Sequence, residues 1–148
     1  MRQSGKNAKS KPAAMTDSLD RLVLKYADAQ KALKTFGDIL QEPFSVLVRD
    51  ATIQRFEYTF EAFWKFLKEY LKVKEGVVAN TPKSVFREIF SLGLLTEEET
   101  VHFLEMTDRR NETSHTYKEA VSQKIYEAVP AYQGLMERLL KKFQDRIA

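Results

Sequence analysis

The fold is decided by the stretch Val46-Leu47-Val48-Arg49-Asp50-Ala51-Thr52-Ile53-Gln54-Arg55-Phe56-Glu57-Tyr58-Thr59-Phe60-Glu61-Ala62-Phe63-Trp64-Lys65-Phe66-Leu67-Lys68-Glu69-Tyr70-Leu71. Its apolar residues Val46, Leu47, Ile53, Phe56, Phe60, Phe63, Trp64, Leu67, Tyr70 and Leu71 give one long amphipathic helix. So many large rings on one stripe would dominate a core. Pro43 lacks an N–H and disfavours helix in the residue before it, so a tight turn precedes this helix. The helix should stop near Glu75, ahead of Gly76.

The same period appears on either side. From Asp17 it runs through Leu19, Leu22, Val23, Tyr26, Ala29, Leu33, Phe36 and Leu40 to about Gln41, predicting a first long helix. Thr81-Pro82 places a capping residue before a first-turn proline, and Gly93 sits where a left-handed cap would end a short helix carrying Val85, Phe86, Ile89 and Phe90. Thr96-Glu97-Glu98-Glu99 reads as a capping box opening a helix with Val101, Phe103, Leu104 and Met106. The last segment, from about Glu119 to Arg146, keeps its stripe on both sides of Pro130, which should kink the helix without ending it. Nothing alternates with period two for long enough to make a strand. The expectation is an all-α fold: an antiparallel up-and-down four-helix bundle with an additional short helix.

The 148 residues make one domain's worth of chain. The net charge is +3, but Arg2, Lys6, Lys9 and Lys11 precede the first acidic residue and leave −1 from Thr16 onward. Residues 1–15 are therefore expected to be a disordered basic tail, with the bundle over 16–148. Because the basicity belongs to that tail, RNA contact would need a local patch on the bundle. No Cys is present, which removes disulfides and thiolate metal sites, and two histidines, His102 and His115, cannot build a His-rich centre. No metal or cofactor is expected. No stretch has the apolar run of a signal peptide or a membrane span, so a cytoplasmic protein is expected.

One segment breaks the pattern. Asp108-Arg109-Arg110-Asn111-Glu112-Thr113-Ser114-His115-Thr116-Tyr117 is polar for ten positions between two striped helices. Five residues turn an ideal helix by roughly 500°, so Arg110 and His115 would point about 140° apart unless the helix ends or bends between them. The plain reading is a polar C-terminal turn and link, with His115 near free carbonyls. The functional reading is a cation for phosphate, a group titrating near neutrality and a tyrosine hydroxyl two residues on. From the residues alone, both stay open.

Arg110-Asn111 followed by His115 resembles the Arg-x4-6-His signature of HEPN domains. With Tyr117 it resembles the extended Arg-x4-His-x-Tyr form of HEPN toxins paired with minimal nucleotidyltransferases. The stretch Leu47 to Glu61 with Trp64 is similar to the second-helix signature of the nucleotidyltransferase substrate-binding subfamily, as are Pro82-Lys83-Ser84-Val85-Phe86-Arg87-Glu88 and Gly93-Leu94. The resemblance covers roughly Asp17 to the C-terminus. His102 stands where relatives often have an aromatic residue.

This resemblance implies a homodimer working beside a separately encoded minimal nucleotidyltransferase, within a heterotetramer or a larger assembly, in a toxin-antitoxin-like module. The chain is not the transferase itself, since it has no Gly-Ser followed by a spaced Asp-x-Asp pair. The implied chemistry is metal-independent RNA cleavage using the RNA's own 2′-hydroxyl. In it Arg110 stabilises phosphate charge, His115 moves the proton, Asn111 orients either, and Asp108 and Glu112 are supporting polar residues. Tyr117 is the implied acceptor for AMP. A competing expectation is a non-catalytic subunit that presents nucleotide or substrate to the transferase through the same residues. A generic helical scaffold ranks last, because it leaves the polar segment unexplained. Phe56, Phe60, Phe63 and Trp64 are expected in the core and dimer interface, with Arg55, Glu57 and Glu61 in solvated ion pairs.

Overall fold

A computed structural model describes residues 13–148. The expected tail therefore lies, apart from its last three residues, outside the described residues. Helix α1, Ala13–Ile39, begins slightly ahead of the expected boundary. It is followed by α2, Val46–Tyr70, then by α3, Pro82–Ser91, α4, Glu97–Glu112, and α5, Glu119–Lys141. All regular structure among the described residues is helical. Four long helices and one short one make the expected all-α bundle: α1 packs along α2, α2 packs against α5, and α3 bridges α2 and α4. Among the described residues no helix is long and apolar enough to cross a membrane.

The helix ends follow from local chemistry. Ser45, two residues beyond Pro43, caps α2 by accepting from the Val48 amide at 3.0 Å. At its far end α2 widens into a turn of π-helix, Leu71–Glu75, and stops at Gly76. Gly76 has φ 68°, and the Val77 amide reaches back to the Leu71 carbonyl at 2.9 Å. A residue with a Cβ would be strained in that left-handed conformation. Gly93, at φ 80°, ends α3 in the same way, with the Leu94 amide on the Ile89 carbonyl. Thr81 and Thr96 both form complete capping boxes, with Ser84 and Glu99 respectively. Pro130 lies inside α5, and the helix runs unbroken across it.

The core is rich in aromatic residues, and α2 supplies half of them. Phe56, Phe60, Phe63, Phe66, Leu67 and Tyr70 are all buried. Phe63 stacks on Phe103 of α4 with ring centroids 5.9 Å apart and planes within 8°, and Phe86 of α3 lies 4.8 Å from Phe103. Phe143, just past α5, meets Phe66 and Tyr70 edge-on. Some residues of the predicted stripes face outward instead: Val23, Val46, Leu47, Phe90 and Val101 are exposed. Val46 and Leu47 occupy the first turn of α2, beyond the reach of a packing partner, so periodicity alone overstated the width of the stripe.

Candidate functional site at the α4–α5 junction

Helix α4 carries Asp108 to Glu112 in its last turns, and a 3-10 turn, Thr113–His115, then links it to α5. The α-helix therefore ends between Arg110 and His115, and the 3-10 turn carries the chain on to His115; no contact among the described residues joins the two side chains.

The junction is tied down at three points. Thr113 is buried, with its hydroxyl 2.9 Å from Glu57 Oε2 on α2 and 2.7 Å from the Arg110 carbonyl. Ser122, fully buried on α5, donates to the Thr116 carbonyl at 2.7 Å and so fixes the backbone between His115 and Tyr117. The third tie is Arg49 of α2, whose buried guanidinium grips the Glu119 carboxylate through both terminal nitrogens. That hydrogen bonding raises the Arg49 pKa and lowers that of Glu119 below the ordinary carboxylate value. The first turn of α5 is thereby pinned to α2.

On this frame the predicted residues fall into distinct settings. Asp108 pairs with Lys83 of α3 at 2.7 Å. Glu112 lies between Arg109 at 3.0 Å and Lys124 at 3.6 Å. Both acids thus brace α4 against neighbouring charges. Asn111 has an exposed side chain, and its carbonyl accepts from the Ser114 hydroxyl. His115 is exposed, with its ring 6.0 Å from that of Tyr117 in an edge-on arrangement. Tyr117 is 77% exposed, and the Lys118 ammonium sits 5.9 Å from its ring centroid. Thr116 and Tyr117 line a groove of about 500 Å³ whose other wall is Asp50, Ile53, Gln54 and Glu57 of α2.

Arg110 departs from the simplest expectation of a free cation awaiting phosphate. Its Nη2 is 3.4 Å from Glu61 Oε1 and its Nη1 is 3.8 Å from Glu57 Oε2. Glu57 and Glu61, expected in local solvated pairs, instead face Arg110 from successive turns of α2. Glu61 also keeps local partners, accepting from Trp64 Nε1 at 3.2 Å and lying 3.7 Å from Lys65. Sequence reasoning missed this role for the two acids, and it missed Arg49, Thr113 and Ser122 as anchors. The four-residue spacing of Glu57 and Glu61 was visible, but their partner lies some fifty positions along the chain.

A family model described as nucleotidyltransferase substrate binding protein like matches residues 24–145, from the first helix to beyond the last. No curated protein matches the chain. Among solved structures, the chain is similar to a Thermus thermophilus protein at 46% sequence identity and a TM-score of 0.75. The match covers 78% of this chain and 98% of that one. With the family model spanning nearly the whole described bundle, the chain belongs to the nucleotidyltransferase substrate binding protein-like family and has its HEPN-like fold.

Proposed function

We propose that this chain is the partner of a separately encoded minimal nucleotidyltransferase, and that the Arg110–Tyr117 junction is the face it offers, with Tyr117 as the acceptor of AMP. The observation that carries this is the setting of Tyr117: its ring is largely exposed, while the backbone beside it is held by the buried Ser122. A modified residue must be reachable by another protein's active site, and a fixed backbone limits the ordering cost of presenting it. In the transfer, the Tyr117 oxygen attacks the α-phosphorus of ATP bound by the transferase. The bond to pyrophosphate breaks, and the phenolic proton passes to a base. His115, whose ring neighbours that of Tyr117, is the group we assign to that proton movement.

A second reading is supported by the change from α-helix to a 3-10 turn between Arg110 and His115, which alters the angle between their side chains. In it the junction cleaves RNA without a metal. The 2′-hydroxyl attacks the adjacent phosphorus and the bond to the 5′-oxygen of the next nucleotide breaks, leaving a cyclic phosphate and a 5′-hydroxyl. His115 moves the proton, Arg110 stabilises the phosphorane charge, and Asn111 orients the phosphate. A two-fold dimer would set two such groups across one cleft. An adenylate on Tyr117 would then add bulk and negative charge beside the RNA.

The two readings are tested separately. Given the transferase and ATP, the chain is expected to gain adenylate by intact mass and the Tyr117→Phe variant is not; equal labelling of both would move the acceptor elsewhere. Given RNA in chelator, the native protein is expected to cleave, and Arg110→Ala and His115→Ala to fall at least about a hundredfold, the size of one lost proton-transfer or charge-stabilising group. Equal cleavage by all three would remove the ribonuclease reading and leave a subunit that binds or presents substrate.

A further inference from the structure

Arg110 is the cation that phosphate binding needs, yet its charge is already answered by two carboxylates. The two are held differently. Glu61 is held from within α2, by a hydrogen bond from Trp64 and a nearby lysine, whereas Glu57 is held across the junction by the Thr113 hydroxyl at 2.9 Å. Glu57 approaches Arg110 at the longer 3.8 Å, and it is also the residue that lines the groove beside Tyr117. Arg110 itself is not saturated by this pairing: neither carboxylate grips it through two oxygens, and its buried Nε has no hydrogen-bond partner among the described residues.

We infer that Glu57 is a built-in competitor for anionic ligands: its carboxylate occupies the place on Arg110 that a phosphate oxygen takes when RNA or nucleotide binds. The inference rests on the reading that Arg110 contacts phosphate. A phosphate entering along the groove meets Glu57 as a like charge and must displace it. The displaced ion pair is part-exposed and long, the kind that contributes little net stability, and the Thr113 hydroxyl that Glu57 leaves keeps the Arg110 carbonyl as an acceptor at 2.7 Å. Glu57 thereby sets the affinity of the junction, while the Ser122 and Arg49 ties still hold it to α5 and α2. The Thr113 hydroxyl, 2.9 Å from Glu57, holds the carboxylate near Arg110 when no ligand is present.

Glu57→Gln is the informative variant, because its amide oxygen can still accept from Thr113 while the charge is gone. Binding is measured at low salt for the native chain, Glu57→Gln, Arg110→Ala and the double variant. One arm uses a fluorescent single-stranded RNA and the other uses AMP. Glu57→Gln is expected to bind roughly two- to fivefold more tightly, the equivalent of one part-exposed ion pair, and the gain should vanish in the Arg110→Ala background. A gain with RNA alone assigns the exchange to a phosphodiester, and a gain with AMP alone to a nucleotide. No gain, or a gain that persists without Arg110, overturns the inference. Native-like binding by Arg110→Ala alone would instead remove the phosphate role of Arg110 on which the inference rests.

Discussion

Ser122 shows how one small residue shapes the candidate site. Its hydroxyl is buried and spends its proton on the Thr116 carbonyl, so the backbone between His115 and Tyr117 is fixed from below while both rings remain exposed. Ser122→Ala leaves a buried carbonyl without that donor and should cost about 1 kcal/mol. It should also speed amide exchange at Tyr117 and Lys118 more than within α5. Uniform exchange along the junction would show that the hydroxyl does not restrain it. Phe103 carries the opposite kind of role, packed in the stack with Phe63 and Phe86 and remote from the exposed rings. Phe103→Ala should destabilise by roughly 3–5 kcal/mol in urea unfolding.

At the scale of elements, the junction depends on how α2 holds α4 and α5. The Arg49–Glu119 pair is a pH-sensitive part of that grip. Glu119 has a lowered pKa in the folded chain, so the pair's contribution is fully present above the unfolded carboxylate value, near ~4.3. It is lost as pH falls through the lower folded value. Glu99, lowered first by the Thr96 backbone amide in the α4 capping box, has the same sign. Between about pH 6 and pH 3 the urea midpoint should fall, and Glu119→Gln should flatten part of that slope. An unchanged slope would mean that other carboxylates carry the acid response. Thr96→Ala removes the cap of α4 and should cost about 1 kcal/mol, read from thermal melts at neutral pH.

For the whole molecule, what the sequence made legible was the local part. The capping residue Thr81, the capping box at Thr96, the helix stop at Gly76, the left-handed Gly93 and the aromatic stripe of α2 each depend on residues within a few positions of one another. The exposure of Val46, Leu47 and Phe90 was not legible, because a stripe does not say where its neighbouring helix ends. The residues of the junction could be named from their order along the chain. Their electrostatic setting could not, since Arg110 meets Glu57 and Glu61, and Glu119 meets Arg49, only through the packing of α2 on α4 and α5. The central claim is that this packing presents Tyr117 to a nucleotidyltransferase. Its most direct test is peptide mapping by tandem mass spectrometry after incubation with the transferase and ATP. Adenylate on Tyr117, absent from the Tyr117→Phe variant while His102 and the other tyrosines stay unmodified, is the predicted result. Adenylate mapped to another residue, with Tyr117 unmodified, would contradict it.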